Sequence, residues 1–289
     1  MTSTLVNDST FQLTDNGIIL NDDTVTGIPF IDIETVTGLD NAPIRQTKRD
    51  HEGVDGGFMD AEFETGRDIS LSGIVYANGN PLETYLDSLK ANWAPSSVLL
   101  PLYILTNDTG LRVVFVKPLG CQYDWDALRR TGMTAITFTC YAEDPRIYSG
   151  TLNTTILPLG AFVLTGFSFN FGFNLSFGGV STTTDGQFIN NIGNRPTPVI
   201  MVIQGPVVNP QILNDTQSAV MQFNITLGSI DTLTIDTQYH TVRLNGNVNR
   251  RSALTVPGWF LLGVGNNFIR FRAASGTGTM SLSYRASWR

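Results

Sequence analysis

Asp68-Ile69-Ser70-Leu71-Ser72-Gly73-Ile74-Val75-Tyr76 alternates with period 2, and this stretch decides the fold class. Alternation of this kind marks a strand with one buried face. Thr134-Ala135-Ile136-Thr137-Phe138-Thr139-Cys140-Tyr141 repeats the pattern. Upstream, Phe11 to Leu20 and Pro29 to Thr37 are short runs rich in β-branched and aromatic residues. They read as further strands of the same sheet-forming region.

Immediately downstream the period changes. Leu82, Tyr85, Leu86, Leu89 and Trp93 form one stripe at helical spacing. Asn80 can cap this helix, Pro81 stands at its first position, and Glu83 completes a capping-box spacing. Pro95 ends it. The expectation is a helix packed across a sheet, with its apolar face inward.

Between the early strands lies Leu39 to Asp60, polar and Gly-rich, carrying Arg45, Lys48, Arg49 and Asp50. It is too long and too charged for a simple turn, so it is either a mobile loop or an extended hairpin that meets a partner. Arg45, Lys48, Arg49 and Asp50 are its subunit-contact candidates. Val98 to Leu105 and Leu111 to Lys117 read as strands joined by the hairpin signal Asn107-Asp108-Thr109-Gly110. Regular alternation stops at Glu143-Asp144-Pro145, where proline excludes a helical conformation for its predecessor. A domain boundary is expected between residues 145 and 158, dividing 1–150 from 151–289.

The second half reads as all β. Strands are expected at Pro198 to Gln204, Ala219 to Leu227, Thr232 to Asp236, Thr241 to Leu244, Gly258 to Leu262, Asn267 to Phe271 and Thr279 to Tyr284. Turn signals recur between them at Gly205-Pro206, Asn209-Pro210 and Asn245-Gly246, the pattern of a sandwich. Phe167 to Phe177 places a large apolar residue at every odd position. A membrane-barrel strand has that pattern, but one strand cannot close a barrel. The reading is a long strand burying one face in the sandwich core or at a subunit contact.

Composition excludes several function classes. The 289 residues are 42% hydrophobic, 10% aromatic and only 15% charged, which argues against disorder. A net charge of −7 argues against a protein that wraps nucleic acid by neutralising phosphates. No apolar run is long enough for a membrane helix, and the first residues lack the basic and apolar regions of a signal peptide.

Two cysteines, Cys121 and Cys140, are too few for a disulfide scaffold or a four-ligand zinc site. In a hairpin turning near Trp125, Cys140 would lie opposite the region of Arg112 and far from Cys121, so both read as reduced thiols. His51 and His240 are the only histidines, and neither sits in a zinc-protease or nucleophile-elbow motif. Glu62 and Glu64 would share a strand face as a carboxylate pair, a spacing equally common on solvated strands. Asp22-Asp23 and Glu143-Asp144 are adjacent carboxylates without calcium-loop spacing. No catalytic residue, cofactor site or metal site is expected.

Four segments carry a resemblance. They are Phe63 to Gly73 with the helix that follows; Tyr141-Ala142-Glu143-Asp144-Pro145-Arg146-Ile147-Tyr148; Pro198 to Pro210; and Leu233 to Thr237 running through Val242 to Gly246 and Gly258 to Leu262, ending in Tyr284 to Arg289. In this order they resemble the distal tail proteins, or minor tail proteins, of long-tailed non-contractile bacteriophages. The resemblance implies a mainly β chain, with an N-terminal split β-barrel carrying one α-helix and a C-terminal galectin-like β-sandwich. It implies a homo-oligomer, a hexameric ring at the tail tip, joining the tail tube protein to the tip or hub protein. DNA would pass through its lumen unbound, with no insertion into a membrane. Partners would include a receptor-binding protein or a host glycan. The alternative is a glycan-binding module, for which His240, Arg243, Asn245 and Trp259 could form a site. Trp259 lies in the apolar run Trp259-Phe260-Leu261-Leu262, however, and packing is the simpler role for it.

Overall fold

The computed structural model describes residues 9–15, 17–21, 29–59, 61–77, 82–125, 127–160 and 186–289. The chain divides into two compact units, Met1–Thr151 with Trp288–Arg289, and Leu152–Ser287. The Phe167 to Phe177 stretch, Asp22-Asp23 and the capping residues Asn80 and Pro81 lie outside the described residues.

The first unit contains β1 (Ser9–Leu13), β2 (Ile19–Leu20), β3 (Phe30–Thr37), β4 (Ile44–Arg45), β5 (Lys48–Asp50), β6 (Gly57–Met59), β7 (Phe63–Glu64) and β8 (Arg67–Tyr76). After the helix α1 (Leu82–Asn92) come β9 (Leu100–Thr106), β10 (Gly110–Tyr123), β11 (Met133–Ala142) and β12 (Ile147–Ser149). The main sheet runs β2-β1-β9-β10-β11-β8-β3. Alternation places Ile69, Leu71 and Val75 of β8 in the core with Ile136, Phe138 and Cys140 of β11.

One strand serves two halves of this sheet. β10 pairs with β9 through residues Gly110 to Val116, then with β11 through Lys117 to Tyr123, with a bulge between Pro118 and Gly120. The far ends of the sheet, β2 and β3, share no ladder among the described residues; Asn21 spans the gap instead. Its backbone N–H donates to the Ile31 carbonyl at 3.0 Å. Its side-chain amide donates to the Ser9 carbonyl at 2.7 Å and accepts from the Ile33 N–H at 3.2 Å. Among the described residues the sheet is therefore open, bridged by the backbone and side chain of one residue.

Helix α1 buries Leu82, Leu86 and Leu89, and Trp93 follows with its N–H on the Leu89 carbonyl at 2.9 Å. The Trp93 ring lies 4.8 Å from Phe138. Burying each such leucine is worth about 1.5–3 kcal/mol, which holds the helix on the sheet.

The second unit begins with β13 (Asn153–Pro158), β14 (Gly186–Asn191), β15 (Val199–Gln204), β16 (Val207–Val208), β17 (Gln211–Asn214), β18 (Ala219–Phe223) and β19 (Thr226–Leu227). It continues with β20 (Thr232–Asp236), β21 (Thr241–Leu244), β22 (Val248–Asn249), β23 (Leu254–Pro257), β24 (Gly265–Arg272), β25 (Ser275–Gly276) and β26 (Thr279–Tyr284). One sheet is ordered β13-β26-β15-β20-β21-β22 and the other β14-β24-β17-β18-β23. Inward residues of both sheets, among them Met201, Ile235, Phe223 and Phe271, form one core, the arrangement of a sandwich.

The structure corrects four sequence expectations. Phe11 to Leu20 is a hairpin of two strands rather than one run, with Phe11 opposite Leu20. Ala219 to Leu227 splits into β18 and β19, which join different sheets. Gly258 to Leu262 forms no named strand; the strand is Leu254–Pro257. Gly258 approaches Val220 so closely that a Cβ would meet the Val220 carbonyl oxygen at 2.2 Å. Phe260 and Leu262 are nonetheless buried, because the chain is tucked into the core without a ladder. Finally, the hairpin of β10 and β11 turns through Ala127–Thr131, so Cys140 faces Pro118 rather than the region of Arg112. Cys121 faces Phe138, one diagonal step from Cys140, and both thiols are free.

Candidate functional site

Residues 44–59 and 61–64 fold as an arm of paired strands. Ile44 and Arg45 pair with Glu64 and Phe63; after Gln46 and Thr47, Lys48, Arg49 and Asp50 pair with Met59, Phe58 and Gly57. The His51 N–H closes the tip on the Gly56 carbonyl at 3.0 Å, and its ring packs on Phe58 at 3.9 Å. Gly53 and Gly56 supply the positive φ values that the tip requires. Of the two readings open for this stretch, the extended hairpin is the one observed.

The arm leaves apolar side chains in water. Val54, Phe58, Met59 and Phe63 are 68%, 62%, 55% and 59% exposed. Arg45 lies over Phe63 at 5.9 Å, and Arg45, Lys48, Arg49 and Asp50 are all exposed. A thin ribbon with bare aromatic residues and charges of both signs suits contact with another chain. Glu62 lies outside any strand and Glu64 lies 3.4 Å from the Arg289 guanidinium, so these two do not form a carboxylate pair.

The root of the arm is fixed by one buried guanidinium. Arg67 is 1% exposed. It donates to the carbonyls of Gly38 (3.2 Å), Asp40 (3.0 Å) and Pro145. Thr65 adds a backbone bond to the Pro43 carbonyl at 2.8 Å. Pro145 belongs to the excursion between β11 and β12, which is held by its own network. Asp144 accepts from the Arg146 guanidinium at 3.1 Å and from the Tyr148 hydroxyl at 2.5 Å. Burial and then the Asp144 charge push the Tyr148 hydroxyl far above the ordinary tyrosine range. Burial alone would lower the Arg146 pKa, but Asp144 and Tyr148 outweigh it and raise it.

In the second unit, two of the four glycan candidates come together. The His240 ring stacks on Trp259 at 4.6 Å with planes 20° apart, and Trp259 also packs against the core. One face of the indole is thus already occupied. Asn245 is taken up by its turn: its side chain accepts from the Thr232 N–H at 2.8 Å and donates to Asp231 at 3.0 Å. Arg243 is exposed on β21, opposite Thr234 and Asn249.

Sequence reasoning missed Arg67, since a single arginine at a strand start carries no motif. It also missed the cation–aromatic cluster beside α1, where Arg129 lies 3.8 Å from Trp125 and 5.3 Å from Tyr123, and pairs with Glu83. Among the described residues no cluster of His, Cys, Asp and Glu could hold a metal ion.

Comparison with known proteins adds to this geometry. Residues 192–288 match the family model of the siphovirus-type tail component, C-terminal domain. The fold is similar to that of SPP1 Dit (gp 19.1), described as a paradigm of the hub adsorption apparatus in phages infecting Gram-positive bacteria. The TM-score is 0.65 and the identity 16%, over 98% of this chain and 100% of that one. A chain of the phage P2 baseplate in its activated conformation with calcium aligns at a TM-score of 0.48 and 10% identity, over 96% and 98% of the two chains. A search of curated protein sequences finds no match. The resemblance to distal tail proteins is borne out by the C-terminal domain model and by the fold, and the chain is mainly β with a galectin-like sandwich.

Proposed function

We propose that this chain is a structural component of a bacteriophage tail tip, located in the virion and without enzymatic activity. The match of residues 192–288 to the tail-component C-terminal domain carries this reading. The first unit assembles as a hexameric ring beneath the tail tube, and the exposed arm is its inter-subunit element. The ring joins the tail tube protein to the tip or hub protein and surrounds the DNA exit path. The acidic balance of the chain suits a lumen that passes DNA without holding it. The second unit holds tip proteins or a receptor-binding protein.

The arrangement at Trp259 gives a neutral-sugar site little support, because His240 takes a stacking face and Asn245 is bound in its turn. Negative-stain images and mass photometry of the whole chain test the proposal: a six-fold ring with outer lobes is expected. A monomer at every concentration would overturn it.

A further inference from the structure

The two units carry opposite charge. Leu152–Ser287 holds seven arginines and no lysine against four aspartates and no glutamate, a net charge of +3. Met1–Thr151 with Trp288–Arg289 holds eleven basic against twenty-one acidic residues, a net charge of −10. Three of the seven arginines stand together. Arg243 projects from β21, and Arg250 and Arg251 follow β22, the edge strand of its sheet. All three are exposed, and among the described residues none of their side chains makes an ion pair. Val248, 48% exposed, lies between them in the sequence.

The arm has the complementary pattern. Arg45, Lys48 and Arg49 lie on its outgoing strands, while Asp50, Glu52 and Asp55 surround the tip, all exposed. Beside the acidic tip residues stand Val54 and Phe58, bare to solvent. The acidic tip would be repelled by the acidic first unit of another copy, whereas the basic outgoing strand would be attracted to it. The arginine edge of the second unit offers the tip the opposite sign. Guanidinium groups bind carboxylates in paired, directional hydrogen bonds, so such a contact fixes register as well as attraction.

We propose that the arm tip of one copy, through Asp50, Glu52 and Asp55, docks on the arginine edge Arg243, Arg250 and Arg251 of a second copy. Val54 and Phe58 cover Val248 at the centre, and the charges form the rim. The contact uses two different surfaces, so it is head-to-tail and propagates around a closed ring. The inference rests on the ring reading and adds the partner surface of the arm.

Charge reversal tests it in the full-length chain. Glu52→Arg with Asp55→Arg, and separately Arg250→Glu with Arg251→Glu, should each raise the protein concentration needed for assembly by about tenfold or more. All four are exposed, so melting curves should match wild type and show that each variant is folded. The variant carrying both reversals should regain most of the lost assembly, and raising salt should weaken the wild-type contact. Wild-type rings whose assembly ignores both reversals, or a combined variant no better than the single ones, would overturn this contact alone. A wild-type chain that never assembles would overturn the ring reading and the contact together.

Discussion

At Arg67 folding has enclosed a full charge and bonded its two terminal nitrogens to backbone carbonyls from the arm root and the β11–β12 excursion. Arg67→Met keeps much of the volume but leaves those carbonyls without a donor, at about 1–3 kcal/mol for each buried group left unsatisfied. Urea titration should show the first unit losing several kcal/mol of stability. Arg67→Lys should recover only part, since an ammonium lacks the planar fork that reaches several carbonyls together. The second residue-scale expectation concerns Cys140, whose thiol is pushed up to about 12, by burial first and by Asp68 second. Only the thiolate reacts with alkylating reagents, so Cys140 should label slowly in the native state and fast in urea. The protonated thiol is the form that folding favours. Its contribution is therefore complete below the ordinary cysteine value of 9.0 and fades as pH rises through about 12. Labelling of native Cys140 as rapid as in urea at pH 8 would contradict its burial.

At the scale of elements, α1 gives a direct comparison. Leu89 is fully buried against the sheet, whereas Asp87 is exposed and pairs with Lys90 at 3.1 Å. Leu89→Ala should cost about 2–5 kcal/mol and lower the first unit's melting transition, with the second unit's left in place. Asp87→Ala should change stability by less than about 0.5 kcal/mol, as an exposed pair contributes little. Calorimetry of the two variants checks both values. This helix was legible because its stripe repeats at helical spacing over three turns, and β8 and β11 were legible because ten-residue strands display their alternation fully. Shorter elements were not. β18 and β19 read as one strand because the break at Asn224 and Ile225 carries no proline or glycine. Trp259 to Leu262 is apolar because it is buried, and burial without a ladder leaves the same sequence trace as a buried strand. The arm showed in sequence as excess length and charge; its apolar tip acquires meaning only when Val54 and Phe58 are seen bare. The hairpin register of β10 and β11 was misplaced because a 3-10 turn and a bulge each shift it, and neither has a periodic signal.

At the scale of the whole molecule, the arm and the division into units make separate predictions. Deleting Arg45 to Gly57 should leave a folded chain by circular dichroism and abolish assembly by mass photometry; rings at normal abundance would make the arm a mere surface excursion. Limited proteolysis should release a stable fragment beginning between residues 145 and 158. The candidate contacts were less legible than the fold, for a physical reason. A core announces itself through periodic burial, whereas a contact surface depends on which exposed residues become neighbours. Arg243 could be named from the sequence, but its grouping with Arg250 and Arg251 depends on β22 turning back along β21.

The division of the chain has a consequence in time. Trp288 and Arg289 belong to the first unit, where Arg112 lies over the Trp288 ring at 4.5 Å and Arg289 meets Glu64 at the arm root. Ser149 ends β12 long before Trp288 is translated. At ~5–20 residues per second, the ribosome needs roughly 7–28 s to make the intervening stretch. During that interval the arm root lacks its Arg289 partner. The first unit therefore gains its contacts with Trp288 and Arg289 only after the second unit has been made. Chains truncated inside the second unit would lack both of these contacts.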